Sequence, residues 1–210
     1  MIYEIGKHRV RNGDIYDNLD ELYNGEKVDI YYSDPPWGNL EYWQTLNQKM
    51  NGVERKATNV HTFVNRVFDV AIKYTKEDSP IFIEYGIKWN NNLIAIAESK
   101  GLHLEACIEM LYASPKRPML LNIFSKQGNL HLSEEYKQSV YHTYGYNSLK
   151  TALKPFEGCK TISDACCGLG YTARYAIDHN MRFFGNELNL KRLEKTMEKL
   201  RKSDTENLRG

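Results

Sequence analysis

Residues 161–170 read Thr161-Ile-Ser-Asp-Ala-Cys-Cys-Gly-Leu-Gly170, a short strand that runs into a glycine-rich turn. Residues 171–179 then predict a helix, and residues 181–187 predict a second apolar strand that ends in an acid. In a β-α-β unit of this kind, the glycines let the backbone approach a nucleotide and the acid binds ribose hydroxyls. The acid, Glu187, stands 19 positions after Gly168, so the unit predicts a nucleotide-type cofactor site in a Rossmann-like α/β fold.

The same unit also has the spacing of a dinucleotide fingerprint, Gly168-x-Gly170-x-x-Ala173, so an NAD-dependent enzyme is an alternative. Asp164 argues against it, because a carboxylate at the end of the strand would repel a pyrophosphate. The same carboxylate would suit the positively charged ammonium and sulfonium groups of S-adenosylmethionine. The dinucleotide alternative also leaves a second motif, near the amino end, without a role. We therefore expect S-adenosylmethionine as the cofactor.

The second motif is Asp34-Pro35-Pro36-Trp37, which ends a strand-like run. An exocyclic amine of a nucleobase is a poor nucleophile, because its lone pair is delocalised into the ring. The Asp34 carboxylate and the Pro35 carbonyl can each accept a hydrogen bond from such an amine, and Pro36 stiffens the backbone that aims them. Trp37 offers a face on which a flipped base can stack. The alternative is a stiff exit turn without chemistry, which Pro-Pro often forms after a strand.

Together the two motifs resemble the amino-methyltransferase family that modifies adenine N6 or cytosine N4, in the circularly permuted, beta-type order. In that order the catalytic motif precedes the cofactor motif. The tryptophan form of the catalytic motif is most similar to the adenine-N6 branch, which includes DNA adenine methyltransferases and MT-A70-like proteins. The resemblance implies methyl transfer from S-adenosylmethionine to adenine N6, in DNA rather than RNA, on a base held outside the stack. Cytosine-N4 and RNA adenine-N6 methylation are the alternatives.

The resemblance also implies roles for individual residues. Asp14, in a Gly-Asp pair before the catalytic strand, would contact the adenine of the cofactor, Asp164 its methionine end and Glu187 its ribose. Family members often carry a Lys-Pro pair before the cofactor strand, and residues 146–150 contain none. The cofactor-binding residues expected in this way are Asp14, Asp164, Cys166, Gly168, Gly170, Glu187 and Asn189.

The length of 210 residues predicts one methyltransferase domain over residues 1–210, without a sizeable target-recognition domain. The chain has no apolar stretch of membrane-spanning length, and Met1-Ile-Tyr-Glu4 does not begin a signal peptide, so we expect a cytoplasmic protein. The four cysteines lack paired metal spacing, which indicates reduced thiols, and the proposed chemistry needs no metal.

The rest of the chain predicts alternating helices and strands. Residues 61–74 have apolar side chains at helical spacing, residues 80–86 form a short buried strand, and a helix before Gly101 should follow. Residues 102–112 and 119–124 predict a hairpin. These elements favour a doubly wound, mostly parallel sheet with one antiparallel strand in a terminal hairpin.

A net charge of +1 means that any nucleic-acid surface depends on local clusters. Candidate clusters lie at residues 7–11, 55–56 and 116–117, each of which can also be an ordinary solvated surface. Residues 38–62 follow the catalytic motif and are the preferred substrate loop, where Tyr42 and Trp43 either stack on a base or line a short helix.

Residues 129–146 carry four tyrosines and two histidines. These side chains can bind nucleic acid by stacking. Half-buried packing against the core or a dimer surface is slightly favoured as the reason for their presence. A homodimer or heteromer could supply the missing recognition surface. A catalytically silent, nucleic-acid-binding partner subunit is the alternative of another class.

Overall fold

The structure, a computed structural model, describes residues 1–37, 45, 59–112 and 117–207. In these residues eight strands form one sheet: β1 Ile2–Ile5, β2 His8–Asn12, β3 Ile30–Ser33, β4 Ile81–Tyr85, β5 His103–Leu111, β6 Pro118–Ser125, β7 Thr161–Asp164 and β8 Arg182–Glu187. Their order in the sheet is β1-β2-β8-β7-β3-β4-β6-β5.

Helices connect most of these strands. Short 3₁₀ helices lie at Ile87–Trp89 and Lys154–Phe156. The α-helices are α1 Asp20–Tyr23, α2 Val60–Tyr74, α3 Asn90–Ser99, α4 Glu134–Val140, α5 Tyr146–Leu153, α6 Tyr171–Asp178 and α7 Leu190–Asn207.

The sheet confirms the predicted α/β architecture. The five central strands, from β2 to β4 in the sheet order, are parallel, and β6 runs antiparallel to both β4 and β5. The sheet also has a second antiparallel strand that the sequence did not predict, because β1 pairs with β2 in a hairpin. Gly6 begins its two-residue turn at φ 52°, a conformation that favours glycine.

Helices cover both faces of the sheet, which explains why its central strands are apolar on both sides. Helix α2 begins at the cap residue Asn59, whose side chain accepts a hydrogen bond from the Thr62 N–H at 2.8 Å. Its apolar face packs with α3 on one side of the sheet. Helices α5, α6 and α7 contribute Leu149, Ala173 and Leu193 to the core on the other side. Each large apolar side chain that is fully buried stabilises the fold by about 1.5–3 kcal/mol.

The connections reverse direction between β7 and β3. From β7 the chain passes through α6 to β8, which lies next to β7 on the side away from β3. From β3 it continues to β4, which lies next to β3 on the side away from β7. Strands β3 and β7 are paired, with Tyr31 opposite Ser163. In open α/β sheets, ligands bind in the crevice at the carboxyl ends of the strands where this reversal occurs. The two predicted motifs, Asp34–Trp37 and Asp164–Gly170, begin at this point.

Candidate active site

A cavity of about 760 Å³ opens at this crevice. Its volume lies within the range of small-molecule sites, about 300–1,000 Å³. Both motifs line it together with the carboxyl ends of β4 and β8. The predicted site residues that line the cavity are Asp34, Pro35, Pro36, Trp37, Asp164, Cys166, Gly168 and Glu187.

Asp34 follows the end of β3, and its carboxyl faces the open cavity. Protein atoms surround it on the other sides, and this desolvation raises the pKa of Asp34 to about 6. Two interactions act in the opposite direction: the Trp37 indole N–H donates to Asp34 Oδ1 at 3.2 Å, and the positive charge of Arg192 lies nearby. The carboxyl is therefore an acceptor at neutral pH.

Trp37 stands in an aromatic wall of the cavity. Its ring contacts Tyr112 edge to face at a centroid distance of 5.4 Å, and Trp89 lies at 6.4 Å. Gly86 makes room for it, since a Cβ atom there would lie 2.6 Å from Trp37 Cε3. A flat aromatic ligand that enters next to Asp34 would meet this wall.

Asp164 ends β7 and is buried. Its Oδ1 accepts hydrogen bonds from the Cys166 N–H at 2.9 Å and the Ser33 hydroxyl at 3.1 Å, and its Oδ2 accepts one from Thr172 at 2.8 Å. Burial raises the pKa of Asp164 to about 7, although these hydrogen bonds act in the opposite direction. A buried carboxyl that ionises near neutral pH gains from a cationic ligand.

Glu187 ends β8 and stabilises the glycine turn by hydrogen bonds. Its two carboxylate oxygens accept backbone hydrogen bonds, one from the Gly168 N–H and one from the Asn189 N–H, each at 2.8 Å. Asn189 does not line the cavity; its side chain instead accepts from the Arg192 N–H at 3.2 Å, at the start of α7. Each of the two carboxylate oxygens can accept a further hydrogen bond from a ligand hydroxyl group.

Gly170 also lies outside the cavity lining, and its role is steric. It has φ 77°, and a Cβ atom there would lie 2.6 Å from Thr196 Oγ1 on α7. We expect Gly170→Ala to lower the free energy of unfolding by about 2–4 kcal/mol, from left-handed strain and overpacking together. Chemical denaturation measures this loss.

A double variant separates the two causes. Adding Thr196→Ala to Gly170→Ala removes the Oγ1 and Cγ2 overlaps and should restore about half of the loss. A Gly170→Ala variant as stable as the wild type would contradict the close packing of the glycine turn on α7.

Asp14 does not line the cavity, although its neighbours Gly13 and Ile15 do. The Asp14 carboxylate accepts a hydrogen bond from the Tyr16 N–H at 3.0 Å, which holds the turn after β2. Its contact with the adenine of a cofactor stays a prediction. A Lys-Pro pair occurs at residues 154–155, later than the predicted position, and does not line the cavity.

Glu84 was not predicted as a site residue, and Arg192 had no individual predicted role. Glu84 lines the cavity from β4, and Arg192 lines it from α7. One signal for Glu84 was available: it is the single acid in the strand Ile81–Tyr85, whose other side chains are apolar or aromatic. Arg192 gave no comparable signal in its lysine-rich and glutamate-rich helix.

Part of the predicted substrate surface lies within the described residues. Tyr42, Trp43, Arg55, Lys56 and Lys116 lie outside the described residues. Arg117 lines the cavity, whereas none of residues 7–11 does. Tyr141 and Tyr144 are exposed, and Tyr136 and Tyr146 are half-buried.

The described part of the chain contains neither a membrane-spanning helix nor a cluster of metal ligands. No helix there is long and apolar enough to cross a membrane. In the same residues, no cluster of three or more histidine, cysteine, aspartate or glutamate side chains has the arrangement of a metal site.

Solved structures share this fold. M1.HpyAVI in complex with S-adenosylmethionine superposes with a TM-score of 0.67 at 11% identity, over 91% of this chain and 98% of that one. TTHA0409 from Thermus thermophilus, a putative DNA modification methylase solved with S-adenosyl-L-methionine, gives a TM-score of 0.67 at 12% identity. That match covers 93% of this chain and 94% of the other. No protein-family model and no curated protein sequence matches. The chain therefore has the α/β fold of these proteins.

Proposed function

We propose that this chain is an S-adenosylmethionine-dependent methyltransferase that acts on the N6 amine of adenine in DNA. One observation carries the proposal: the Asp34–Trp37 motif and the glycine turn with Glu187 open into the same cavity at the switch point of the sheet. The solved structures of the same fold, described as DNA modification methylases or bound to S-adenosylmethionine, support it. We propose adenine rather than cytosine because the tryptophan form of the motif resembles that of the adenine-N6 branch.

The charges of the cavity fit this cofactor. Besides Glu84, three carboxyl groups line it, those of Asp34, Asp164 and Glu187, and burial raises the pKa of each. Such a site favours a cation and disfavours a pyrophosphate, which counts against the dinucleotide alternative. Glu187 would hold the ribose hydroxyls, and Asp164 would face the methionine end. S-adenosylmethionine, when bound, supplies a methyl group that is activated by the positive sulfonium.

The residues of the chain contribute chiefly position. The Asp34 carboxylate and the Pro35 carbonyl accept hydrogen bonds from the two N–H groups of the target amine, which draws the nitrogen toward a tetrahedral, nucleophilic geometry. Trp37 stacks on the flipped base. Holding the amine in line with the methyl group in a cavity with little water makes a covalent intermediate unnecessary.

The target polymer and base are tested directly. The protein is incubated with methyl-labelled S-adenosylmethionine and separate DNA and RNA pools, and the digested nucleosides are analysed by mass spectrometry. Labelled N6-methyldeoxyadenosine is the expected product. Label on cytosine N4 or in RNA would replace the target by one of the two alternatives. Cofactor binding without transfer would favour the silent partner subunit, and absence of both would contradict the proposal.

The domain organisation and the assembly belong to the same proposal. Residues 1–210 would form one catalytic domain of a cytoplasmic protein. Because no sizeable recognition insert is evident, a second copy or a partner chain would contribute to target recognition. Sedimentation with and without a DNA duplex would report the stoichiometry.

The pH dependence follows from two carboxyl groups. Asp34 must be ionised to accept from the amine and Asp164 to bind a cation, and their pKa values are raised to about 6 and about 7. Since protonation removes function, kcat/KM should fall as pH decreases below about 7, with a slope that approaches two below about 6. Initial rates between pH 5 and 8 test this. A flat profile down to pH 5 would contradict it.

A further inference from the structure

Glu84 is a buried acid for which the proposed mechanism has no use. It stands in β4 among apolar and aromatic residues and is 9% exposed, and the part that remains accessible lines the cavity. Burying a carboxyl is costly unless it is paired or hydrogen-bonded, so this position needs an explanation.

The neighbours of Glu84 connect it to the catalytic motif. Ser33 pairs with Ile83 in the parallel β3–β4 register, so Asp34 and Glu84 come next to each other at the carboxyl ends of adjacent strands. Among the described residues, its carboxyl has one hydrogen-bond partner, the Tyr32 hydroxyl, which donates to Oε1. The second oxygen, Oε2, is therefore available to a ligand in the cavity.

The surroundings keep this carboxyl neutral. Burial and the negative charge of Asp34 raise the pKa of Glu84 to about 8, with Asp164 acting in the same direction. A neutral carboxylic acid has one O–H donor. Because Oε1 accepts from Tyr32, we assign the proton to Oε2. The titratable and charged groups that face Glu84 or its immediate neighbours are Tyr32, Asp34, Tyr112, Arg117, Asp164 and Arg192.

We propose that protonated Glu84 donates a hydrogen bond to the ring nitrogen beside the target amine, which is N1 in adenine. The inference rests on the proposed function and adds a base-selecting group to it. Neighbouring strands lie about 4.8 Å apart, so their two carboxyl groups can meet adjacent atoms on one edge of a base. Asp34 then accepts from the amine while Glu84 donates to N1. Guanine presents an N–H beside its amine, which would oppose the Glu84 donor.

Replacing one acceptor atom of the substrate, N1 of adenine, by a C–H group tests the contact. Two oligonucleotides carry the sequence that the wild type methylates, with either adenine or 1-deazaadenine at the target position. For the wild type we expect kcat/KM to be about 10- to 100-fold lower with 1-deazaadenine, because the Glu84 donor then loses its acceptor. Glu84→Ala should methylate both oligonucleotides at reduced rates and should lose most of the preference for adenine. Glu84→Gln is the matched control, since its amide keeps a donor, and it should still prefer adenine.

The preference of each protein is its kcat/KM with adenine divided by its kcat/KM with 1-deazaadenine. Dividing the wild-type preference by that of Glu84→Ala cancels the effects that the analogue itself has on base pairing and on amine reactivity. Equal preference for adenine in the wild type and in Glu84→Ala would overturn the inference. No transfer by the wild type to any oligonucleotide would overturn the proposed function as well, so the two failures are distinguishable.

A second readout remains if Glu84→Ala does not fold. In the wild type, kcat/KM should fall as pH increases above about 8, because Glu84 loses its donor proton. Glu84→Gln has no proton to lose and should keep its rate across that range. The same alkaline decline in Glu84→Gln would contradict the role of Glu84.

Discussion

Asp34→Ala is expected to lower methyl transfer by about 10³-fold or more while cofactor affinity changes little. The variant removes the acceptor that orients the amine, and no other side chain described in the cavity can replace it at the end of β3. The Glu187 and Asp164 contacts that would hold the cofactor lie on other strands and stay intact. Single-turnover rates measure the transfer, and calorimetry with S-adenosylmethionine measures the affinity.

A matched control removes a carboxylate from elsewhere on the surface. Asp69 forms an exposed ion pair with Lys100, and Asp69→Ala should change neither transfer nor affinity. The thermal stability of Asp34→Ala should not fall, since Asp34 is exposed at the cavity and its hydrogen-bond partner among the described residues is the Trp37 indole. Loss of cofactor binding together with transfer would contradict the separation of roles.

The central architecture was predictable because its signals are local. Thr161 to Glu187 contains strand, glycine turn, helix and strand in one uninterrupted stretch, and each element was found where the sequence predicted it. Helix α2 was equally clear, since its apolar side chains repeat at helical spacing. The β1–β2 hairpin was missed because both strands are short, β2 is mostly polar, and the pair is held by backbone pairing along the edge of the sheet.

The site was less predictable because it is assembled from distant strands. Glu84 is 50 positions from Asp34 and 80 from Asp164, so its chemical surroundings depend on the strand order, which sequence spacing does not specify. Asp14 failed to reach the cavity lining for a different reason. The family resemblance locates the turn after β2, but the backbone of that turn decides which residues face the cavity, and these are Gly13 and Ile15.

Glu187→Ala is expected to raise the dissociation constant of S-adenosylmethionine by about 100-fold or more. The variant removes the acceptor proposed for two ribose hydroxyls, and it leaves the Gly168 and Asn189 N–H groups without their carboxylate partner. Each unsatisfied buried group costs about 1–3 kcal/mol, so the free energy of unfolding should also decrease. Calorimetric titration and thermal unfolding of the same sample measure both effects.

A deoxy analogue separates direct contact from loosening of the glycine turn. S-adenosylhomocysteine and its 2′-deoxy form are titrated against the wild type and Glu187→Ala, because a single hydroxyl distinguishes the two ligands. If Glu187 accepts from the 2′-hydroxyl, the wild type should bind the deoxy form about 10-fold more weakly and Glu187→Ala should bind both alike. An unchanged dissociation constant for S-adenosylmethionine in Glu187→Ala would exclude the ribose role. A weakened Glu187→Ala that still prefers the hydroxylated ligand would instead mean that the carboxylate acts only through the backbone of the turn.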